Sequence, residues 1–448
     1  MKPRIPTFSP GRILLGSFLF TISVGTFLLS LPEARTVTMS FWDVFFTATS
    51  AVCVAGLKLA PISNFTTFGK CVILALIQIG GLGLMTLSFF LVSLFLNLGM
   101  TTQLIAGEIL EFKVWSRIKN FLILIIGVTF ISEVIGTLLL HPKCQEFADL
   151  HNPWFIAFFT SVSAFCNAGI TLFEDSLVNF QMSPLSLLTI SGLMFSGSIG
   201  FIVWYDFAKM LRAYIESFKH PRPSPKFSLH TKLVIYSSVI LILFASVVFW
   251  ILERNNSLSH LDFGHQALNS FFTGISSRGI GFVSFAMEKL RLPTLLLFLP
   301  LMLIGASPGS TGSGIKTTTF VIFVATLVSI LRNREAVEIR RRQIPNDQIY
   351  KVVAIIAIAA FWIFGITFIL LITEESFTFF QIFFESVSAF GCCGLSTGIT
   401  PGLSLTGKII LIITMLIGRI GSFTLVLALR KRKEKHLYQY PKERVMIG

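Results

Sequence analysis

Four glycines stand at nearly equal intervals in this chain of 448 residues, and each ends a short apolar stretch that begins with a Phe-Phe pair. They are Gly56, Gly169, Gly281 and Gly394, separated by 113, 112 and 113 residues. Glycine adopts positive φ without the penalty of a Cβ, so a strand that contains it can turn its carbonyl oxygens toward one axis. Rings of such carbonyls replace the hydration shell of a permeating cation in ion selectivity filters. The pattern therefore predicts a carbonyl-lined ion pathway built from four equivalent segments.

Glycines also pack tightly between membrane helices, and one such glycine alone would favour that role. Four at equivalent positions, each after a half-helix that begins with Phe-Phe, favour the ion pathway instead. We take each glycine and the three residues before it as a candidate filter segment. The residues are Cys53, Val54, Ala55 and Gly56; Cys166, Asn167, Ala168 and Gly169; Arg278, Gly279, Ile280 and Gly281; and Gly391, Cys392, Cys393 and Gly394.

The composition places these segments in a membrane protein. Hydrophobic residues make up 53% of the chain, charged residues only 13%, and the mean hydropathy is +0.79. A spanning helix needs roughly 20 mostly apolar residues. Eight stretches meet that length, and we predict spans at about 12–31, 70–97, 120–140, 184–211, 231–252, 293–330, 351–372 and 405–430.

Each Phe-Phe stretch lies between two predicted spans and, at roughly 12 residues, is too short to cross a bilayer. Non-helical backbone at membrane depth is tolerated only where it lines a water-filled path or is buried in protein. The sequence therefore predicts an all-α polytopic membrane protein with four tandem helix–pore loop–helix repeats around a pseudo-fourfold central pore. We place the repeats at 1–98, 99–213, 214–332 and 333–430, followed by a basic cytoplasmic tail at 431–448.

The positive charges that give the net charge of +14 are distributed along the chain as in a membrane protein and do not indicate a nucleic-acid partner. If the amino terminus is cytoplasmic, the predicted cytoplasmic segments hold 24 of the 36 Lys and Arg, and the opposite side holds eight. This is the positive-inside bias, so we expect both termini in the cytoplasm. Basic runs such as 340–342 and 430–433 are typical of contact with anionic membrane lipid. A docking surface for a cytosolic protein is the alternative.

Side chains that ligate metals or perform catalysis do not cluster in this sequence. The six cysteines show no metal-binding spacing, and the seven histidines show no paired spacing. We therefore expect no metal-ligand cluster, no disulfide framework and no cofactor in this chain. A membrane enzyme would need convergent His, Asp or Cys at membrane depth, and none recurs, so we predict that the protein is not an enzyme.

A glycine-rich segment interrupts the sixth predicted span. Between Gly305 and Thr319 it contains glycines, a proline and a cluster of Ser and Thr, which cannot sustain a regular helix. It is close to a phosphate-binding loop, but Ile315 separates Gly314 from Lys316, and an apolar span precedes it where that loop needs a strand. We predict a break at membrane depth that lines the ion path, and a merely kinked helix is the alternative.

Two basic residues lie where a charge would affect a passing cation. Lys316 follows the glycine-rich segment, where its charge would oppose cations in the cavity; alternatively, its long side chain extends to the cytoplasmic surface. Arg419 lies in the last predicted span, where a charge is costly unless it faces the interior or finds a partner. We predict that Arg419 shapes the barrier of the cavity. For Glu133 and Glu385 we expect pairing with a basic residue or a backbone amide.

Three features together resemble the Trk/Ktr/HKT superfamily of potassium transporters, specifically the bacterial membrane subunit of TrkH, KtrB or NtpJ type. They are the four filter segments, the glycine-rich segment, and the sequence from Ile417 through Arg419 to Gly421. The resemblance covers nearly the whole chain and implies an intramembrane gate loop beneath the filter. It also implies that Arg278 braces the filter from behind. The implied gate residues are Gly305, Ser307, Gly309, Ser310, Thr311, Gly312, Ser313, Gly314, Lys316 and Arg419.

The resemblance further implies a potassium uptake system in the bacterial inner membrane, with potassium or sodium as the transported ion, held at the filter carbonyls only. It implies a homodimer that works with a cytosolic ring of Rossmann-type, nucleotide-binding regulatory subunits. Few carboxylates lie along the path, which favours channel-like conduction over a proton relay. A sodium-coupled potassium symporter or a sodium-conducting member is the alternative. A transporter of an organic solute would more often show two large repeats.

Overall fold

A computed structural model of the protein describes residues 10–95, 118–147, 152–217 and 226–421. The predicted basic tail at 431–448 and the end of the eighth predicted span lie outside these residues.

The described residues form fourteen α-helices and one small hairpin. The helices are α1 (Pro10–Ser30), α2 (Phe41–Cys53), α3 (Thr67–Phe95), α4 (Ile118–Cys144), α5 (Pro153–Phe165), α6 (Pro184–Ser198), α7 (Phe201–Ser217), α8 (Leu229–Glu253), α9 (Phe263–Ser276), α10 (Leu292–Leu303), α11 (Thr317–Leu331), α12 (Asn346–Thr373), α13 (Phe379–Gly391) and α14 (Leu405–Ile420). Strands β1 (Glu338–Ile339) and β2 (Arg342–Gln343) pair antiparallel between α11 and α12.

The outer helices α1, α4, α8 and α12 present apolar side chains to their surroundings. Phe20 on α1 is 71% exposed and Phe361 on α12 is 83% exposed, as suits helices that face lipid. Among the residues that the structure describes, three stretches are long and apolar enough to cross a membrane unaided, namely Asn120–Phe147, Leu229–Glu253 and Asn346–Thr373. The bent pair α6 and α7 makes a fourth if both halves count as one span. These helices indicate a multi-pass membrane protein.

The pore helices α2, α5, α9 and α13 are half-length helices, and each begins at a polar cap. The caps are Ser40, Asn152, Asp262 and Thr378, whose side chains each accept a hydrogen bond from an amide of the first turn. Such a cap satisfies an amide that has no partner within the helix. The hydrogen bond with His265 holds the pKa of the Asp262 carboxyl below its ordinary value, so this cap is ionised at neutral pH.

The Phe-Phe pairs anchor these pore helices. The second member of each pair is fully buried, at Phe46, Phe159, Phe272 and Phe384. In a membrane protein such burial stabilises the fold through van der Waals packing, since lipid tails are as apolar as the protein interior. The first member lies nearer the periphery, and Phe158 is 41% exposed. The repeated motif therefore packs each pore helix into the protein interior at an equivalent position.

The inner helices differ among the repeats. α3 of the first repeat is continuous, whereas residues 304–316 divide the third inner helix into α10 and α11. The predicted gate loop at 305–319 extends three residues too far, because residues 317–319 form the first turn of α11. Helix geometry therefore resumes immediately after Lys316.

The second inner helix is also broken, and the prediction of a span over 184–211 did not include this break. α6 and α7 meet at 95° across Ile199 and Gly200. Gly200 has a φ of 88°, and a Cβ there would lie 2.6 Å from the carbonyl oxygen of Pro308. The hydropathy pattern missed this break because both halves are apolar and glycine is common in membrane helices.

The four repeats close into a ring. Each pore helix packs against the inner helix of the preceding repeat: α5 against α3, α9 against α6, α13 against α10, and α2 against α14. The last pair joins the fourth repeat to the first, and Lys408 Nζ lies 2.8 Å from Asp43 Oδ1 across it. The predicted all-α fold, with four tandem repeats around a pseudo-fourfold axis, is confirmed.

Candidate ion pathway

Each candidate filter segment leaves its pore helix through the same left-handed turn. Val54, Asn167, Gly279 and Cys392 have φ of 54°, 60°, 74° and 48°, and the four filter glycines two positions later have φ between 64° and 84°. The left-handed region costs a residue with a side chain of the order of 1–2 kcal/mol. Such strain recurs at functional sites. The equivalent conformation in all four repeats indicates a shared role for these segments.

The four filter glycines face the backbone of neighbouring segments. A Cβ on Gly56 would lie 2.8 Å from Ala168 O, and one on Gly394 would lie 2.8 Å from Ala55 O. The corresponding contacts are Gly169 with Ile280 O and Gly281 with Cys393 O. Each glycine thus meets the carbonyl that precedes the glycine of the next segment. Four carbonyls and four glycines form a closed ring that has no room for a side chain.

Serine hydroxyls of the pore helices hold three of the four segments. Ser50 Oγ donates to Leu57 O (2.7 Å), and Ser163 Oγ donates to Ile170 O (2.7 Å). Ser276 Oγ makes the same bond to Phe282 O (2.5 Å). The fourth serine, Ser388, has no side-chain partner among the described residues. Sequence analysis missed these serines, although a serine recurs five or six residues before each glycine.

The break in the third inner helix is a folded loop held by its own backbone. Gly305 N donates to Ile315 O (3.0 Å), and Ile315 N donates to Leu303 O (2.9 Å). Ala306 N donates to Ser313 O (3.1 Å). We call residues 304–316 the intramembrane loop. Its two arms pair with each other, so its polar backbone is satisfied without a regular helix.

Hydroxyl groups of the intramembrane loop are also satisfied locally. Ser310 Oγ donates to Ser307 O (2.6 Å), and Ser307 Oγ shares a hydrogen bond with Thr317 Oγ1 (3.1 Å). A Cβ on Gly312 would lie 2.5 Å from the Cβ of Ala306, so the arms approach too closely for a side chain there. The loop is compact in this conformation.

The intramembrane loop contacts the second filter segment and the break in the second inner helix. Asn167 Nδ2 donates to Thr311 Oγ1 (2.8 Å), and Thr311 N donates to Gly197 O (3.2 Å). Phe201 N donates to Gly309 O (2.8 Å). The break between α6 and α7 exposes the backbone groups that hold the loop. The two broken inner helices therefore support each other.

Arg419 joins the intramembrane loop to the first repeat. Nη1 donates to Thr311 O (2.5 Å) and Ser313 Oγ (3.0 Å), and Nη2 donates to Gly80 O and Gly81 O (3.3 Å to the latter). The side chain is only 5% exposed and forms no ion pair with any described residue. Its acceptors are neutral, so its positive charge stays uncompensated in a medium of low dielectric constant.

Two other basic side chains attach to the loop. Lys316 Nζ donates to Gly312 O (2.9 Å), so this side chain folds back onto the loop. Arg278 donates to Ser238 O (3.5 Å) and Gly305 O (3.3 Å), which ties the third filter segment to α8 and to the loop. The loop is thus held by the second, third and fourth repeats, and through Arg419 it is linked to the first.

The vicinal cysteines of the fourth segment point their thiols into the surrounding protein. Cys392 Sγ donates to Met415 O (3.3 Å), and Cys393 Sγ to Ser277 O (3.8 Å). Gly391 ends α13, where a Cβ would lie 2.6 Å from Met302 O. All six cysteines are free thiols.

The two buried glutamates named in the sequence analysis, Glu133 and Glu385, differ in their partners. Glu385 accepts hydrogen bonds from Ser396 Oγ, from Thr397 N (3.1 Å) and from Thr400 Oγ1 (3.2 Å). It therefore braces the chain that follows the fourth filter segment. Glu133 is buried in α4 and forms no ion pair with the residues that the structure describes.

A lysine lies at the opposite end of the filter from the loop. Lys58 stands two residues after Gly56, and its Nζ donates to Thr171 Oγ1 (3.0 Å), two residues after Gly169. This hydrogen bond joins the chain that follows the first filter segment to the chain that follows the second. Sequence analysis missed Lys58, although its position directly after a filter segment was a visible signal.

A closed ring of backbone segments with positive φ inside a multi-pass membrane protein is typical of ion-transport proteins. The chain matches the family described as "TrkH: Cation transport protein" over residues 14–439. The chain therefore belongs to the TrkH family of cation transport proteins, and the predicted resemblance is confirmed. This is a family of transporters and not of enzymes.

Curated relatives extend over the whole chain. The Ktr system potassium uptake protein B of Vibrio alginolyticus is 36% identical over 441 residues, covering 98% of this chain and 94% of that protein. The protein of the same name from Bacillus subtilis is 36% identical over 449 residues, covering 98% and 97%. The potassium/sodium uptake protein NtpJ of Enterococcus hirae is 31% identical over 461 residues, covering 100% and 99%.

The fold is similar to a solved structure. The crystal structure of the potassium transporter TrkH from Vibrio parahaemolyticus superimposes with a TM-score of 0.74 and covers 96% of this chain and 86% of that chain. The sequence identity is 18%, so this likeness concerns the fold alone.

Proposed function

We propose that this chain is the membrane-embedded, ion-translocating subunit of a potassium uptake system. The observation that carries the proposal is the closed ring, in which each filter glycine faces a carbonyl of the next segment. Relatives over the full length are named as potassium uptake proteins, which supports potassium as the transported ion. The ion binds to filter carbonyls, and the chain needs no cofactor of its own.

The filter acts by replacing water around the ion. Backbone carbonyls of the four segments, including those of Ala55, Ala168, Ile280 and Cys393, take the place of the hydration shell. Serine hydroxyls hold three of the segments, which limits their collapse onto a smaller ion. Each segment contributes a single ring glycine, so we expect discrimination between potassium and sodium to be modest.

The intramembrane loop acts as the gate. In this conformation it is held against the second filter segment through Asn167, and Arg419 adds a positive charge that opposes cations. Lys316 adds a second charge on the same loop. Opening requires the loop to leave its contacts with Gly197 and Phe201, so movement of α6 or α7 would favour conduction.

Conduction is channel-like and driven by the membrane potential. Proton relays use carboxylates along the path, and the buried Glu385 is engaged in bracing the chain after the fourth filter segment. Sodium-coupled symport, or sodium conduction, is the second candidate, and the relative named as a potassium/sodium uptake protein favours it.

The chain works as a homodimer with a cytosolic, nucleotide-binding regulatory ring of Rossmann-type subunits. Two relatives are named as part of a Ktr system, which supports a further subunit. The protein lies in the bacterial inner membrane with both termini in the cytoplasm. The basic cytoplasmic segments provide the docking surface for the ring and contact membrane lipid.

The test is rubidium uptake by bacteria that lack their own potassium importers and express this chain, with sodium present or omitted. Wild-type protein should support uptake and Gly281→Ser should abolish it, because the new side chain enters the ring at Cys393 O. Gly365→Ser is the control, since nothing lies within 4 Å of a Cβ there. Equal uptake by the Gly281 variant would refute the filter, and dependence on sodium would favour symport.

A second variant tests the gate. Deletion of residues 309–313 removes the tip of the intramembrane loop together with its contacts to Asn167 and Arg419. We expect raised or ungated rubidium flux at normal protein levels. Unchanged transport would refute the loop as a gate.

A further inference from the structure

A groove of about 470 Å³ runs between α8 and α11, away from the filter. Its walls are apolar and come from Ile240 and Leu241 on α8 and from Phe320, Val324 and Val328 on α11. Ile240 is 63% exposed, and Val324 and Val328 are each 40% exposed. Both helices belong to the membrane-embedded part of the third repeat, so the groove opens toward lipid.

One end of the groove carries a cluster of positive charge. Arg332 and Arg334 follow the end of α11, and Arg340 lies at the turn of the β1–β2 hairpin; all three line the groove, together with the single acid Glu338. The guanidinium of Arg340 stacks over the ring of Tyr236 at 4.2 Å, which restrains it beside α8. The end of the groove therefore has an excess of positive charge.

The local fold keeps this cluster in place. Ser329 Oγ donates to Ala336 O (2.9 Å), and Arg334 N donates to Ser329 O (2.9 Å), so the chain after α11 turns back under the helix. Ile344 N donates to Val337 O (2.9 Å) and closes the base of the hairpin. The arginines are thus presented on an ordered turn beside the apolar walls.

An apolar groove that opens to the bilayer and ends in arginines is complementary to a lipid with an acyl chain and an anionic headgroup. Guanidinium groups bind phosphate oxygens through paired hydrogen bonds. Basic residues beside a membrane surface also attract anionic lipids. We propose that this groove binds an anionic phospholipid, with an acyl chain between α8 and α11 and the headgroup phosphate at Arg332, Arg334 and Arg340.

The three arginines of the basic run at 340–342 differ in their position relative to the groove. Arg340 lines the groove, whereas Arg341 and Arg342 do not. One wall of the groove is α11, and this helix begins directly after the intramembrane loop. On the proposed function, a lipid bound there biases the gate, because it changes the position of α11.

Lipid binding is tested first by native mass spectrometry of the delipidated, full-length protein with added phosphatidylglycerol or phosphatidylcholine. We expect preferential retention of phosphatidylglycerol by the wild type. Arg332→Gln with Arg340→Gln should lower that affinity by about fivefold for each arginine. The matched control is Arg341→Gln with Arg342→Gln, which removes two charges from the same connection between α11 and α12 and should leave the affinity unchanged. Equal loss in both variants would overturn the site, since general surface charge would then explain the binding.

A second variant tests the apolar part of the groove. Val324→Trp fills the space between α8 and α11 and should reduce retention of both lipids while the arginines are intact. If this variant instead changes only the mass of the oligomer and not the bound lipid, a second copy of the chain occupies the groove, and the lipid proposal fails.

Rubidium flux in liposomes is measured separately. Wild-type flux should depend on phosphatidylglycerol, and the Arg332 and Arg340 double variant should lose that dependence. Absence of flux from every variant would count against the proposed function, whereas the mass measurement decides lipid binding by itself. Lipid-independent flux with intact binding would overturn the effect on the gate.

Discussion

At the scale of single residues, the proposed pathway combines positions that have no room for a side chain with a position that carries a buried charge. The filter glycines leave room for carbonyl oxygens of adjacent segments. Arg419 is buried and bound only by neutral acceptors. Burial of a guanidinium without a carboxylate partner lowers the stability of a fold. The presence of Arg419 here is therefore explained by a role in function or by the loop that it holds.

Replacement of Arg419 by Gln should raise cation flux. The change removes the charge that opposes cations and the bonds to Thr311 and Ser313, and we expect about a tenfold increase, equivalent to a barrier lower by about 1.4 kcal/mol. Rubidium flux in liposomes, normalised to the protein present, measures the effect. Arg419→Lys is the control that keeps the charge and loses the forked contacts. It should show a smaller increase, and unchanged flux in Arg419→Gln would contradict the barrier.

The pore-helix serines offer a matched pair of variants. Ser163→Ala loses the hydrogen bond to Ile170 O, which should cost about 1 kcal/mol and reduce selectivity for potassium over sodium. Ser388→Ala loses no side-chain hydrogen bond among the described residues and should leave selectivity unchanged. Reversal potentials in mixed potassium and sodium solutions measure both variants. Equal effects would mean that the serines act through packing alone.

At the scale of elements, the two broken inner helices form one unit. The third provides the intramembrane loop, and the break between α6 and α7 provides backbone partners at Gly197 and Phe201. A continuous helix would use these groups internally, so neither would be free to hold the loop. The break in the second inner helix therefore frees two backbone groups that bind the intramembrane loop. The apolar sequence of this helix gave no sign of that role.

Substitution of Gly200 by Ala should loosen the gate. Its φ of 88° is strained for alanine, and the new Cβ would lie 2.6 Å from Pro308 O, so the loop must shift. We expect increased basal flux together with a loss of stability of about 1–3 kcal/mol. Gly192→Ala in α6 is the control, since nothing lies within 4 Å of its Cβ. Wild-type basal flux in the Gly200 variant would show that the break does not hold the gate.

At the scale of the whole molecule, the chain closes on itself, and the proposed filter rests on this closure. The fourth inner helix α14 packs against the first pore helix α2, and the ring of filter carbonyls is complete only when Gly394 meets Ala55. The interface between the first and fourth repeats joins the two ends of the fold. Contacts there therefore stabilise the pathway as a unit.

The ion pair between Asp43 and Lys408 should show measurable coupling across this interface. Asp43→Asn, Lys408→Met and the double variant form a cycle, and we expect a coupling energy of about 0.5–1 kcal/mol because both side chains are partly exposed. Thermal unfolding of the solubilised protein measures it. The pair of Lys143 and Glu146 is the control, since both residues lie within one repeat. Equal coupling in the two cycles would show no special contribution from ring closure.

The sequence by itself indicated four tandem repeats, a mostly helical membrane protein and positive φ at the four filter glycines. The apolar character of a segment is enough to predict that it lies in the membrane. The preference of glycine for positive φ is likewise a property of the single residue and needs no knowledge of distant contacts. The Phe-Phe anchors, the filter glycines and the break after Leu303 are therefore readable without a structure. Their equal spacing then indicated a ring.

Only the tertiary structure decided which groups meet. Arg419 binds Thr311 and Gly80, which are 108 and 339 residues away in the chain. The break at Gly200 depends on Pro308 in another repeat, and three pore-helix serines find partners while Ser388 does not. Hydropathy and glycine content predict the environment and the backbone conformation of each segment. Contacts between distant segments depend on how the four repeats pack together, which no local pattern of residues specifies.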